Sequence, residues 1–169
     1  MSETTTEPTA ILVDDEAAVL GHLQRMLSEC WPELRILDTA QNGREALAKI
    51  GTQVPDVVFL DIKMPGLTGL DVARDLSRDT QLVFVTAFDE FAVQAFDQAA
   101  VDYLLKPVAP ERLEETVNRL KNRLESETTM SAAAANQHES LPAYWNNSAT
   151  QQKQRATPYS GCASVREMK

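Results

Sequence analysis

Residues 57–71 read VVFLDIKMPGLTGLD. Four apolar residues, Val57–Leu60, run without a polar break and stop at Asp61. A short apolar run closed by Pro and Gly punctuation suits a strand covered on both faces. Leu82–Val85 (LVFV) is a second such run and stops at Thr86. Three weaker strands are expected at Ala10–Val13, Leu34–Leu37 and Val101–Leu105. Helical spacing of apolar residues fills the intervals, at about Ala17–Cys30, Arg44–Ile50, Leu70–Leu76 and Glu90–Ala100. A fifth helix starts at Pro110, a favoured first-turn residue, with Leu113, Val117, Leu120 and Leu124 on one stripe. Strand and helix alternate five times, which predicts an α/β fold with a doubly wound parallel sheet.

The pattern stops near residue 125. Residues 8–125 form the expected domain, and 126–169 read as a polar linker or disordered tail. That tail is rich in Ser, Ala, Thr, Gln and Asn and has too few aliphatic residues to offset its ordering entropy. Tyr144 and Trp145 lie within it. The net charge of −9 is uneven: −10 falls on residues 1–125 and +1 on the remainder. Nucleic-acid binding rests on clustered Lys and Arg, so direct contact with nucleic acid is not expected. No apolar run reaches the ~18 residues of a membrane helix. The opening MSETTTEPTA lacks the order of a signal peptide, so a cytoplasmic location is expected. Cys30 and Cys162 form no metal or disulfide framework; Cys30 is expected as a small core residue.

Ligands of open α/β sheets bind beyond the carboxyl ends of the strands. The first expected strand is followed by Asp14, Asp15 and Glu16, the third by Asp61, the fourth by Thr86, and the fifth by Lys106 and Pro107. An Asp after a strand often merely caps the next helix. Three carboxylates, a hydroxyl and an ammonium at one rim are harder to explain that way. A hard divalent cation with oxygen ligands would relieve the repulsion, and Mg²⁺ suits such a site. A carboxylate can act as a nucleophile toward phosphorus, with phosphoryl transfer then resting on positioning and charge neutralisation. Asp61, central in the sheet, is the expected nucleophile. Lys106 would neutralise a phosphoryl oxygen and Thr86 would donate a hydrogen bond.

The series ILVDDE, VVFLDIKMPGLTGLD, LVFVTA and VDYLLKP resembles the receiver domain of two-component response regulators, over about residues 8–125. The resemblance implies a flavodoxin-like (βα)5 receiver fold with strand order 2-1-3-4-5. It implies phosphorelay signalling, with Asp61 taking phosphate from a sensor histidine kinase or a small phosphodonor, and a regulatory role rather than that of an enzyme. Asp15 and Asp61 would ligate Mg²⁺ with the backbone carbonyl of Lys63, and Asp14 would act through a metal-bound water. Thr86 and Tyr103 would be the switch residues, and Lys106 would contact the phosphate. The peptide before Pro107 would be cis. The altered face would comprise the fourth helix, fifth strand and fifth helix, and could form a homodimer. The leucine stripe on the fifth helix would be either a coiled-coil seam or sheet packing. The bulk of Phe88 would limit water access to the aspartyl phosphate.

The stretch VTAFDEFAVQAFDQAAVDYLLKPV resembles receivers of the LytR/AlgR type, which carry a LytTR DNA-binding domain and regulate transcription. Such a domain takes about 100 residues, and 44 polar residues follow position 125. No complete output domain is therefore expected in this chain, whether by truncation, by loss or because the receiver stands alone. A haloacid-dehalogenase-type phosphatase would need an Asp where Lys63 stands. A flavin binder would have its phosphate repelled by Asp14, Asp15 and Glu16. A protein-interaction module that no longer takes phosphate is the remaining alternative.

Overall fold

The computed structural model describes residues 7–135, without the side chains of 93, 94, 96 and 131–135. Tyr144, Trp145, Cys162 and the tail expected beyond 135 lie outside the described residues. Ten elements alternate in chain order: β1 Thr9–Val13, α1 Ala17–Cys30, β2 Arg35–Ala40, α2 Gly43–Gln53, β3 Val57–Leu60, α3 Gly69–Arg74, β4 Gln81–Thr86, α4 Ala92–Asp97, β5 Asp102–Leu105 and α5 Pro110–Ala135. The strands form one parallel sheet in the order β2-β1-β3-β4-β5, as expected.

Each face of the sheet carries its own core. Ala10, Leu12, Val57, Phe59, Val83, Val85 and Leu104 pack with the inner faces of α1 and α5. Ile11, Val13, Val58, Leu60, Leu82 and Phe84 pack with residues of α2, α3 and α4. Alternate residues of one strand thus serve opposite layers, which is why β3 and β4 lack polar residues along their central stretches.

Several expectations change in detail. β2 continues through Asp38 and Thr39 to Ala40, because an edge strand tolerates polar residues whose side chains reach water. The Asp38 carboxylate accepts from Lys49 at 2.9 Å and from Gln53 at 3.3 Å, both on α2. α4 is shorter than Glu90–Ala100, and Ala99 just past it takes a left-handed backbone with φ +56°. Cys30 is only half-buried, packing at the margin of the α1 core. Leu113, Val117 and Leu120 are buried and Leu124 packs against the same cluster. The leucine stripe therefore faces the sheet rather than forming a seam. α5 itself continues as helix past residue 125 to Ala135.

The lower end of β5 is held by an ion-pair network. Asp102 is buried, and its carboxylate accepts from Arg112 at 2.5 and 2.9 Å, from Thr116 at 2.8 Å and from Arg119 at 2.6 Å. Burial opposes its ionisation, but the bonds from Arg112 and Thr116 prevail and hold its pKa below the ordinary value. The folded state therefore favours the ionised carboxylate. The stability gained is present above the unfolded pKa near 3.9 and is lost as pH falls through the lower folded value. Asp102→Asn is expected to cost about 1–2 kcal/mol at pH 7, since Arg112 and Arg119 can turn to water. It should also flatten the decline in stability below about pH 4. Urea midpoints at pH 3 and pH 7 measure both effects. An unchanged acid limb in the variant would count against this assignment.

Candidate functional site

The order of strands reverses between β1 and β3, which both neighbour each other and lead outward to opposite edges. At such a switch point the following loops part and leave a crevice. The backbone amide of Asp61 donates to the Val13 carbonyl at 2.9 Å, and that of Asp14 to the Ala40 carbonyl at 3.0 Å. The strand ladder thus carries one residue past each strand end and fixes both carboxylates at the rim.

Asp14 and Asp61 are buried, while Asp15 is exposed. Lys106 reaches them from the end of β5. Its Nζ lies 2.6 Å from Asp14 Oδ2 and 3.3 Å from Asp61 Oδ2. The Lys106 amide donates to the Thr86 carbonyl at 2.8 Å, and the Lys106–Pro107 peptide is cis. Burial pushes the Asp14 carboxyl up, and the bond from Lys106 offsets this only in part. For Lys106, burial works against the charge, but Asp14 and Asp61 more than compensate and its pKa is raised. The ammonium is thus held charged between two carboxylates.

Among the described residues, two buried side-chain polar atoms have no hydrogen-bond partner: Asp61 Oδ1 and the Thr86 hydroxyl oxygen. Unpaired buried polar atoms are rare and call for an explanation. Here one comes from the third strand's end and the other from the fourth's, the two positions expected to hold the reacting group. Carboxylate oxygens of Asp14, Asp15 and Glu16 lie within 4.8 Å of one another. All are hard oxygen donors, so the residues present fit a small divalent cation.

The structure brings together some expected site residues and leaves others apart. Asp14, Asp61 and Lys106 are in direct contact. Asp15 groups with Asp14 and Glu16, while Asp61 is not part of that acidic group. Lys63 is exposed, and its ammonium lies 4.2 Å from the centroid of the Phe88 ring. Tyr103 is half-buried beside Phe84, and its hydroxyl donates to the Phe88 carbonyl. Burial pushes its phenol pKa up.

Two contributors stand outside the residues to which the sequence assigned a role in the site. Glu16 stands in the DDE run and joins the acidic group. Gly69 opens α3 with its amide donating to the Ile62 carbonyl at 2.8 Å. A Cβ there would lie 2.1 Å from the Asp61 backbone oxygen. The only sequence signal is the second glycine of PGLTG, set one residue after the α3 cap. Thr68 and Asp71 form a reciprocal capping box there, whose bonds fix the first turn.

A five-stranded parallel sheet with this acid-and-lysine rim defines the receiver class of α/β proteins. The chain belongs to the response regulator receiver domain family, whose sequence pattern matches residues 10–118. It is 47% identical over 119 residues to an uncharacterized response regulatory protein of Vibrio cholerae, covering 69% of this chain and 46% of that one. It is 41% identical over 113 residues to the transcriptional regulatory protein BtsR of Salmonella typhi, covering 66% and 47%. The chain spans about half the length of these curated relatives. Among solved structures, it resembles the receiver domain of AraT, a response regulator from Geobacillus stearothermophilus. That match has a TM-score of 0.66 at 30% identity and covers 73% of this chain and 99% of that one. The response regulatory domain of mrkE from Klebsiella pneumoniae gives a TM-score of 0.66 at 29% identity, covering 70% and 98%. Receiver domains are regulatory rather than catalytic and are phosphorylated by sensor histidine kinases. No described helix is long and apolar enough to cross a membrane.

Proposed function

We propose that residues 8–125 form a phosphoacceptor domain in which Asp61 takes a phosphoryl group from a histidine kinase or a small phosphodonor. The observation that carries this reading is the buried Asp61 carboxylate, with one oxygen 3.3 Å from Lys106 and the other unpaired. A carboxylate oxygen of Asp61 adds to phosphorus, and the bond to the donor's leaving group breaks with its electron pair. Asp15, Asp61 and the Lys63 carbonyl would hold Mg²⁺, with Asp14 as an outer carboxylate. That ion supplies positive charge to phosphoryl oxygens. Lys106 supplies a further positive charge, and the unpaired Thr86 hydroxyl offers a donor to the same group. Phosphorylation adds about −1.5 to −2 charges. Thr86 then shifts toward it, and Tyr103 responds on the α4–β5–α5 face.

The same reading makes this the receiver of a LytTR-type transcriptional regulator acting in the cytoplasm. The likeness to a relative named as a transcriptional regulatory protein supports a role in transcription. Homodimerisation would use the α4–β5–α5 face, where Leu105 is 48% exposed on the edge strand. The test is incubation with Mg²⁺ and acetyl phosphate, followed by intact-mass measurement. One added phosphate is expected, and none in Asp61→Asn. No gain in the unaltered chain would favour an interaction module that does not take phosphate.

A further inference from the structure

Residues 62–69 form a closed loop between β3 and α3. Its neck is tied by the Gly69 amide, which donates to the Ile62 carbonyl at 2.8 Å. Ile62 and Met64 are buried, while Lys63, Pro65, Gly66 and Leu67 are exposed. A loop held mainly at its neck would keep freedom at its outer residues. The first turn of α2 removes that freedom at Leu67. Gly43 opens α2 and is buried. A Cβ there would lie 2.6 Å from Leu67 Cβ, 2.7 Å from the Leu67 carbonyl oxygen and 3.0 Å from Val72 Cγ2. Helix and loop therefore meet with no room for a methyl group. The Gly43 backbone is not left-handed, so the glycine serves space rather than conformation. The helix side of the contact is itself fixed. The Asn42 side chain accepts from the Glu45 amide at 2.9 Å, and the Glu45 carboxylate accepts from the Gln41 amide at 3.1 Å. Glu45 also pairs with Lys49 at 2.7 Å.

We propose that Gly43 is a positioning residue for the metal ion: its close seat on Leu67 braces the Ile62–Gly69 loop and so sets how tightly Mg²⁺ is held through the Lys63 carbonyl. The proposal rests on the metal site of the phosphoacceptor reading, which gives Lys63 that role. Lys63 follows Ile62 directly, so the neck bond joins it to the same short arc as Leu67. A displacement at Leu67 reaches Lys63 by two routes. One runs through Thr68 and Gly69 to the neck, the other back along Gly66, Pro65 and the buried Met64. Groups behind a metal ligand orient it, and disturbing one costs about 10–100-fold in affinity. Gly43 acts through a loop rather than on a ligand, so the low end of that range, about tenfold, is expected.

The test uses the full chain and magnesium chloride alone, in a calorimetric titration. Gly43→Ala should weaken Mg²⁺ binding about tenfold. In the metal-free protein, the Lys63 and Met64 backbone amide signals should also move in the NMR spectrum of that variant. Gly51→Ala, on the same helix with nothing within 4 Å of its Cβ, should change neither. Ile50→Val trims one methyl group from a buried residue of the same helix. It lowers stability without touching the loop, and should leave the affinity unchanged. A general loss of stability is thereby separated from positioning. Leu67 gives a second pair that adds no atoms. Leu67→Ala keeps the Cβ and the carbonyl that meet Gly43, and should bind Mg²⁺ as the unaltered chain does. Leu67→Gly removes that Cβ and should bind more weakly.

The proposal is overturned if Gly43→Ala binds Mg²⁺ as tightly as Gly51→Ala does, or if its Lys63 amide stays in place. It is equally overturned if Ile50→Val loses as much affinity, or if Leu67→Ala binds as weakly as Leu67→Gly. Should Gly43→Ala not fold, the Leu67 pair decides alone. An unaltered chain that binds no Mg²⁺ overturns it too. Phosphoryl uptake from acetyl phosphate is read separately by intact mass. A chain that takes no phosphate, yet loses Mg²⁺ affinity in Gly43→Ala, would sink the phosphoacceptor reading and leave the brace standing.

Discussion

Lys106→Met is expected to lower the unfolding free energy by about 2–4 kcal/mol in the absence of divalent cations. Breaking a buried ion pair by removing one partner costs about 3–5 kcal/mol when the site is fully enclosed. Here the Lys106 side chain is 14% exposed, so water softens the loss. Methionine keeps most of the volume of the lysine stem, so packing changes little. The change lies in charge: Asp14 and Asp61 lose the ammonium that lies 2.6 and 3.3 Å away. Asp14 already has its pKa raised by burial, and without Lys106 it should rise further. The sign follows. An acid with a raised folded pKa is stabilising at low pH and loses that contribution as pH rises past its unfolded value toward its folded one. The deficit of the variant should therefore shrink in acid and be full at pH 7. Mg²⁺ should recover part of it, because a ligand that binds only the folded state stabilises it by mass action. Urea melts at pH 4.5 and pH 7, with and without Mg²⁺, measure all three effects. Equal stability of the two proteins at pH 7 without Mg²⁺ would refute the account.

That pairing could not have been read from the sequence, although its members could. Asp14, Asp61 and Lys106 each follow an apolar run, and the rule that ligands bind past strand ends places them at one rim. What sequence spacing does not show is that Lys106 binds Asp14 more closely than Asp61. The order β1-β3-β4-β5 sets β3 nearer than β1 to β5, so the closer contact with Asp14 comes from the reach of the long lysine side chain across the rim. β3 and β4 were legible because burial on both faces leaves them no polar residue in the middle. β2 was legible only at its start, because an edge strand can carry Asp38 and Thr39 where an inner strand cannot. The Asp102 network was hidden for a related reason. A single Asp in VDYLL looks like an interruption until the turns of α5 bring Arg112, Thr116 and Arg119 against it. Cys30 fits the apolar spacing of α1 but lies at the margin of its stripe, where periodicity alone does not separate buried from half-buried.

The contact of Gly69 with Asp61 spans two elements and leaves even less trace, yet it predicts the largest effect on the site. Gly69→Ala is expected to slow phosphoryl uptake by about a hundredfold, the scale of a 1 Å misplacement of a reacting group. It should also cost about 1–3 kcal/mol of stability, as overpacking does. The added Cβ would stand 2.1 Å from the Asp61 carbonyl oxygen, 2.9 Å from its carbonyl carbon and 2.9 Å from the Ile62 Cα. All three are backbone atoms, so no side-chain rotation relieves the clash. α3 must then move away from the segment that follows β3, or that segment must move. α3 is anchored by its capping box, by the Gly69 amide on Ile62 and by the burial of Leu70, Val72 and Ala73. The displacement is therefore shared with Asp61, whose carboxylate would leave its place beside Lys106. Gly21→Ala in α1 is the control, because nothing lies within 4 Å of a Cβ there. That variant should be as stable as the unaltered chain or more stable by about 0.5–1 kcal/mol, the ordinary helix gain from alanine. Its phosphoryl uptake should be unchanged. Uptake rates with acetyl phosphate and urea midpoints for both variants decide the matter: Gly69→Ala behaving like Gly21→Ala would show that the close approach does not hold Asp61 in place.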